Sequence, residues 1–209
     1  MLQHIKSIVE SFFNYLRYEN RRWVILLVFI TIISFVFKDS IHHIATKAKD
    51  PVKSQLEMSQ RVNDKLSEVL EMADGSRVYI FQFHNGVTYY TGQHAQRFTC
   101  TYEIVGKGIS REANNLQNLQ VSIFSWWISE VLKGNMVYSD INEMSDYTTM
   151  ITLKQQGIES VICYPIIHQG KVVGIIGIDY VNRPTNIVDN EEFREWFSGV
   201  SNNIGTILK

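Results

Sequence analysis

The sequence predicts an α+β fold: an antiparallel sheet backed by helices, preceded by an amphipathic helix and one transmembrane helix. Three observations carry this prediction. An uncharged run extends from Trp23 to Phe37, with Arg21 and Arg22 before it and Lys38 and Asp39 after it. Two strand-like runs in SVICYPIIHQGKVVGIIGIDYV flank the turn His168-Gln169-Gly170-Lys171. The chain then closes on NEEFREWFSGVSNNIGTILK, whose apolar residues recur at helical spacing. The expected organisation is an amphipathic segment at 1–20, a transmembrane helix at 21–40, a linker and stalk helix at 41–73 and a globular domain at 74–209.

Composition bounds the function. The 209 residues carry a formal charge of −1, which gives no support to a nucleic-acid binder, since that would show a basic excess. The two cysteines, Cys100 and Cys163, fit no metal spacing.

In the N-terminal segment, Leu2, Ile5, Val9, Phe12, Phe13 and Leu16 lie at helical spacing, as in an amphipathic helix on a bilayer surface. The uncharged run that follows rises about 22 Å as a helix, against a hydrocarbon core of roughly 30 Å. Val24 to Phe37 is Val, Ile, Leu or Phe except at Thr31 and Ser34. Inserting it gains about 4–6 kcal/mol, more than the mismatch costs. Arg22 and Lys38 can snorkel to the two interfaces, and Trp23 sits where aromatic anchors do. No small-x-small cleavage site follows, so an uncleaved anchor is expected. Arg17, Arg21 and Arg22 crowd its N-terminal edge, which places the N-terminus in the cytoplasm and the domain outside. The Thr31 and Ser34 hydroxyls either bond between helices of an oligomer or back to their own helix.

Beyond the anchor, Leu56, Val62, Leu66, Val69 and Ala73 share a helix face. That helix is either a dimerising stalk or the first helix of the domain packing on its sheet. After Asp74-Gly75, SRVYIFQFHNG alternates as a strand that Asn85-Gly86 is expected to turn. RFTCTYEIVGKGIS reads as its partner, with Phe98, Cys100, Tyr102 and Ile104 on one face. VSIFSWWISEVLKGN is helical up to Gly134, MVYSDINEM gives a short strand and a loop, and YTTMITLKQQG is a helix ending at Gly157. Gly174 and Gly177 in the final strand imply close approach by backbone or a helix. The last helix turns Phe193, Phe197, Val200, Ile204 and Ile207 to the sheet.

This order of elements resembles the GAF fold. SVICYPIIHQGKVVGIIGIDYV is similar to the hairpin of that family: serine, hydrophobic run, proline, glycine turn and a glycine-spaced strand. LKQQGIES before it and the helix after it fall where the family has them. The overall layout also resembles the T-type holins of T-even-like phages, which have an amphipathic N-terminus, one transmembrane helix and an extracytoplasmic domain. SVICYPII, the following strand and NNIGTILK are similar to their ending.

The resemblances set the functional expectations. His84, Asn85, Tyr89, Tyr90, Arg97, Thr99 and Tyr102 form a polar and aromatic set suited to the face where GAF domains hold small ligands; the sheet core also needs aromatics, and His84 can equally bond to local backbone. The cyclic-nucleotide GAF signature is not recognisable, and DNEEF at 189–193 reads as a helix start. Cys100 is either a tetrapyrrole attachment point or a small buried hydrophobe, and Cys100 and Cys163 either pair or stay as buried thiols. His42-His43 lack metal partners. No phosphate loop, nucleophile elbow or kinase motif is present, so neither an enzyme nor a cofactor is read. The layout implies a phage holin that oligomerises in the inner membrane and times lysis, with an antiholin-like regulator as partner. The alternative is a membrane-anchored GAF sensor or adaptor binding a small ligand or a partner protein.

Overall fold

Six segments pair into one antiparallel sheet: β1 (Arg77–Thr88), β2 (His94–Val105), β3 (Leu119–Gln120), β4 (Met136–Tyr138), β5 (Ile158–His168) and β6 (Lys171–Val181). Their spatial order is β3-β2-β1-β6-β5-β4. This computed structural model describes residues 22–36, 50–134, 136–138, 140–181 and 190–208, together with Lys6, Ser7, Glu10 and Ser11. The remainder of the amphipathic segment, Lys38 and His42-His43 lie outside the described residues, so those expectations find no counterpart here. The helices are α1 (Arg22–Val36), α2 (Pro51–Met72), α3 (Ser125–Lys133), α4 (Tyr147–Gln155) and α5 (Glu191–Ile207). Two compact units divide the chain, Met1–Gln55 and Leu56–Lys209.

In the first unit, α1 has fifteen residues. Trp23, Leu27, Phe29, Ile32 and Phe35 are all exposed on it, so its apolar character runs round the helix rather than along one face. Among the described residues no helix is long and apolar enough to cross a membrane. Thr31 donates its hydroxyl to the Leu27 carbonyl at 2.7 Å, the bond back to its own helix.

In the second unit the sheet buries both faces. One face carries Val78, Ile80, Tyr102, Ile162, Tyr164, Ile166, Ile176 and Ile178, covered by Val62, Leu66 and Val69 of α2 and Phe193, Phe197 and Ile204 of α5. Of the two alternatives for α2, packing on the sheet is therefore the one realised from Val62 to Ala73; Leu56 is exposed. Asn190 caps α5 by accepting the Phe193 N–H at 2.8 Å, with Glu191 and Glu192 in the first turn. The other face carries Tyr79, Phe81, Phe98, Cys100, Cys163 and Ile175 under Trp127, Ile128 and Val131 of α3. Asp146 caps α4 by accepting the Thr149 N–H at 2.8 Å, and Gly157 follows that helix at φ +71.

Two expectations about β1 and β2 need correction. Phe98 and Cys100 face one layer while Tyr102 and Ile104 face the other. The register steps from Ile80↔Tyr102 to Phe81↔Cys100, so Thr101 is an extra residue that switches the alternation. Asn85-Gly86 does not turn the chain: β1 runs on to Thr88, and the reversal is made by 89–93, with Gly92 at φ +82. The β5–β6 hairpin is as expected, since Gln169 and Gly170 both take positive φ between the paired His168 and Lys171.

The glycines explain the close packing. A Cβ at Gly177 would run into the Tyr79 ring, its cross-strand neighbour, and one at Gly174 would meet the Phe81 carbonyl. The close helix approach is instead at Gly205 of α5, where a Cβ would sit 2.7 Å from the Ile167 carbonyl oxygen.

Candidate functional site

Between the sheet and α3 and α4 lies a cavity of about 50 Å³. Tyr79, Phe81, Phe98, Phe124 and Trp127 supply aromatic walls, and among the described residues Asp179 is the only carboxylate on the lining. Thr149 and Gln156 bring polar groups from α4 and the residue after its end. The rings meet edge to face: Phe81 and Phe98 lie 5.1 Å apart between centroids, and Phe81 and Trp127 5.7 Å.

Beneath the cavity sits a buried charge cluster made by strand register. Arg77 of β1 is paired directly with Asp179 of β6, and Glu103 of β2 lies opposite Tyr79, two residues along. All three side chains are almost inaccessible, at 1%, 3% and 1% for Arg77, Asp179 and Glu103. Arg77 Nη1 donates to Asp179 Oδ2 at 3.1 Å and to Gln156 Oε1 at 3.4 Å, and Nη2 donates to the Ser110 carbonyl at 3.1 Å. Its Nε lies 3.3 Å from Glu103 Oε1.

The two carboxylates are not equivalent. Glu103 also accepts the backbone N–H of Glu112 at 2.8 Å and of Ala113 at 3.2 Å, so both of its oxygens are engaged. Asp179 Oδ1 has no hydrogen-bond partner at ordinary distance, while the Tyr79 hydroxyl lies near enough to favour the ionised carboxylate by hydrogen bonding. Burial pushes the Asp179 carboxyl up from 3.8 to about 7, against the opposing pull of Arg77. The same burial holds the Tyr79 phenol well above its usual range and lifts the Cys163 thiol to about 12. Thr149 Oγ1 is a second buried polar atom on the cavity wall without a partner.

None of the seven residues expected to form a pocket lines this cavity. His84 takes the local role: Nδ1 is 3.3 Å from the Asn85 carbonyl and Nε2 is 2.9 Å from Thr99 Oγ1. Asn85 is exposed and accepts from Gln96 Nε2 at 3.4 Å. Tyr89 is half exposed and Tyr90 wholly so, at the far end of the β1–β2 hairpin. Arg97 donates to the Asn118 carbonyl at 3.1 Å. Tyr102 faces the opposite layer because of the bulge at Thr101. The residues that do build the site, Arg77, Glu103 and Asp179, are single charges inside apolar runs, YEIV and GIDYV among them. That pattern is the signal by which they could have been found.

The cysteines remain free and buried. Cys100 on β2 and Cys163 on β5 have β1 and β6 between them, a separation of roughly 14 Å at strand spacing, beyond the reach of ~7 Å for a disulfide.

The sequence matches the GAF domain family over residues 57–208. The chain belongs to the GAF family. Solved GAF domains share its fold. One is the GAF domain of PixJ from Thermosynechococcus elongatus in its blue-light absorbing form, at 13% identity and TM-score 0.58, covering 77% of this chain and 89% of that one. Another is the photoproduct state of the third GAF domain of Slr1393 from Synechocystis sp. PCC6803, at 12% identity and TM-score 0.57, covering 72% and 92%. A third is the GAF domain region of a protein described as a membrane protein from Geobacter sulfurreducens PCA, at 18% identity and TM-score 0.54, covering 75% and 96%. No curated protein matches the chain. At these identities the likeness concerns the fold alone, and nothing in the comparisons supports a holin. Of the two readings of Cys100, the structure has the small buried residue: its thiol is free and buried, with Sγ donating to the Tyr102 carbonyl at 3.4 Å.

Proposed function

We propose that this GAF protein is a membrane-anchored sensor or adaptor that binds a small ligand in the cavity between its sheet and α3 and α4. The observation that carries the reading is the pairing of an aromatic cavity with a buried carboxylate whose second oxygen is unused. Protein interiors close up such space, and a buried charge cluster is often replaceable by hydrocarbon at no cost in stability. A domain kept only for its fold has little reason to retain both. The ligand contacts β1, β6 and α4, and β1 and β6 also support α2, so occupancy can bias that helix and its association with a second copy or a partner protein. The exposed apolar surface of α1 supports attachment to the inner membrane, with the N-terminus in the cytoplasm and the GAF domain outside.

The test is native mass spectrometry of the full chain purified in detergent, followed by a metabolite screen that reads the NMR signal of the Trp127 indole. A retained small molecule, or a metabolite that shifts Trp127, is expected. A screen in which no compound moves Trp127 sinks the ligand reading. Carbonate extraction of membranes separates the anchor question, since a chain released by alkali does not span the bilayer.

A further inference from the structure

We infer that the ligand of this cavity is a small organic cation, an ammonium whose N–H is taken by Asp179 and whose apolar body lies against Phe81, Phe98, Phe124 and Trp127. The inference rests on the cavity being the ligand site and adds the chemical class. Its first support is charge. Arg77 carries one positive charge and Glu103 and Asp179 two negative ones, so the ionised cluster holds one uncompensated negative charge in a site removed from water. Its second support is geometry. Glu103 accepts two backbone N–H groups and pairs with Arg77, whereas Asp179, which lines the cavity, keeps its Oδ1 buried and without a partner at ordinary distance. A carboxylate oxygen is an acceptor only, so the group that completes it must donate. Thr149 Oγ1 offers a second unused position on the same wall.

The aromatic walls agree with a cation, because ring faces attract positive charge and an apolar body. No lysine or arginine lines the cavity among the described residues, and Arg77 beneath it is already paired with Asp179 and Glu103, so a phosphate or carboxylate ligand would meet Asp179 without a free cation on the wall. The size limits the ligand to a few non-hydrogen atoms unless it extends through the mouth.

Asp179 faces Arg77 and Tyr79 from β1, Glu103 from β2 and Cys163 from β5. Ammonium binding requires it ionised, so affinity rises with pH through the neutral range.

The experiment titrates the full chain in detergent with isobutylamine, isobutanol and isobutyrate, three isosteres differing in charge, and reads the Trp127 indole at about pH 8 and about pH 5.5, on either side of the Asp179 transition. The amine is expected to bind at least roughly tenfold tighter than either isostere at the higher pH, a gap that ion pairing in a buried site readily supplies. The preference should shrink at the lower pH and vanish in Asp179→Asn, with isobutanol binding retained. If that variant does not fold, the wild-type pH comparison decides alone. Equal binding of alcohol or acid overturns the cation and leaves the cavity as a ligand site. No binding by any of the three, at either pH, overturns the cation, while the wider metabolite screen still judges the cavity.

Discussion

The two faces of the central sheet are built to different rules. Under α2 and α5 the face is aliphatic and aromatic, with Leu66, Phe197, Ile176 and Ile178 wholly buried. Under α3 and α4 it holds a cavity, three buried charges and two buried polar atoms without partners. One sheet serves both, since successive residues of β1 and β6 point to opposite sides: Ile178 goes into the packed layer and Asp179 toward the cavity. Close packing on the first face supports the rigidity that lets the second keep an open space.

The largest expected effect breaks each face in turn. Phe197→Ala should cost about 3–5 kcal/mol through the cavity it opens. Arg77→Leu should cost a similar amount, about 3–5 kcal/mol, because it strands two buried carboxylates. Urea unfolding distinguishes the two causes. The Phe197 loss should be the same at every pH, and the Arg77 loss should be smaller in acid, where the stranded carboxylates take up protons. Equal pH behaviour of the two variants would mean the charge cluster contributes as packing only.

An intermediate effect isolates Asp179. Its carboxyl is raised in the folded state from 3.8 to about 7, so between those values the folded chain holds a proton that the unfolded chain has released. The stability it contributes is therefore full below about pH 4 and is lost as pH rises through about 7. Relative to wild type, Asp179→Asn should gain stability progressively across that window and level off above it. A flat difference in urea midpoint from acid to neutral pH would contradict the raised carboxyl. The smallest effect is at Thr149→Val, which removes a buried hydroxyl without a partner. It should leave stability unchanged or raise it by up to about 1 kcal/mol in thermal unfolding. A clear loss would show that the hydroxyl is bonded after all.

Apart from the two-residue β3 and the later start of α3 at Ser125, the order of helices and strands was legible along the chain, as were the β5–β6 turn at Gln169-Gly170 and the apolar face of α5, because each follows from local periodicity or turn chemistry. The face assignments in β2 were not. One extra residue at Thr101 inverts the alternation, and whether a strand carries a bulge depends on the partner it pairs with. The same gap explains why the expected set does not line the cavity. His84, Tyr89, Tyr90 and Arg97 sit close together in sequence at a hairpin end, so they read as a group, yet Tyr89 and Tyr90 are exposed and the half-buried His84 and Arg97 are bonded locally. Arg77, Glu103 and Asp179 are far apart in sequence and each reads as an isolated charge.

By itself, then, the sequence determined the kinds of element, their order and the charge-free composition of α1, all properties of neighbouring residues. Only the tertiary structure decided that three distant charges share one buried cluster, that the two cysteines stand too far apart to pair, and that one buried carboxylate of the cluster comes to line a cavity. Those outcomes depend on strand order and register, which bring together residues that no local pattern connects.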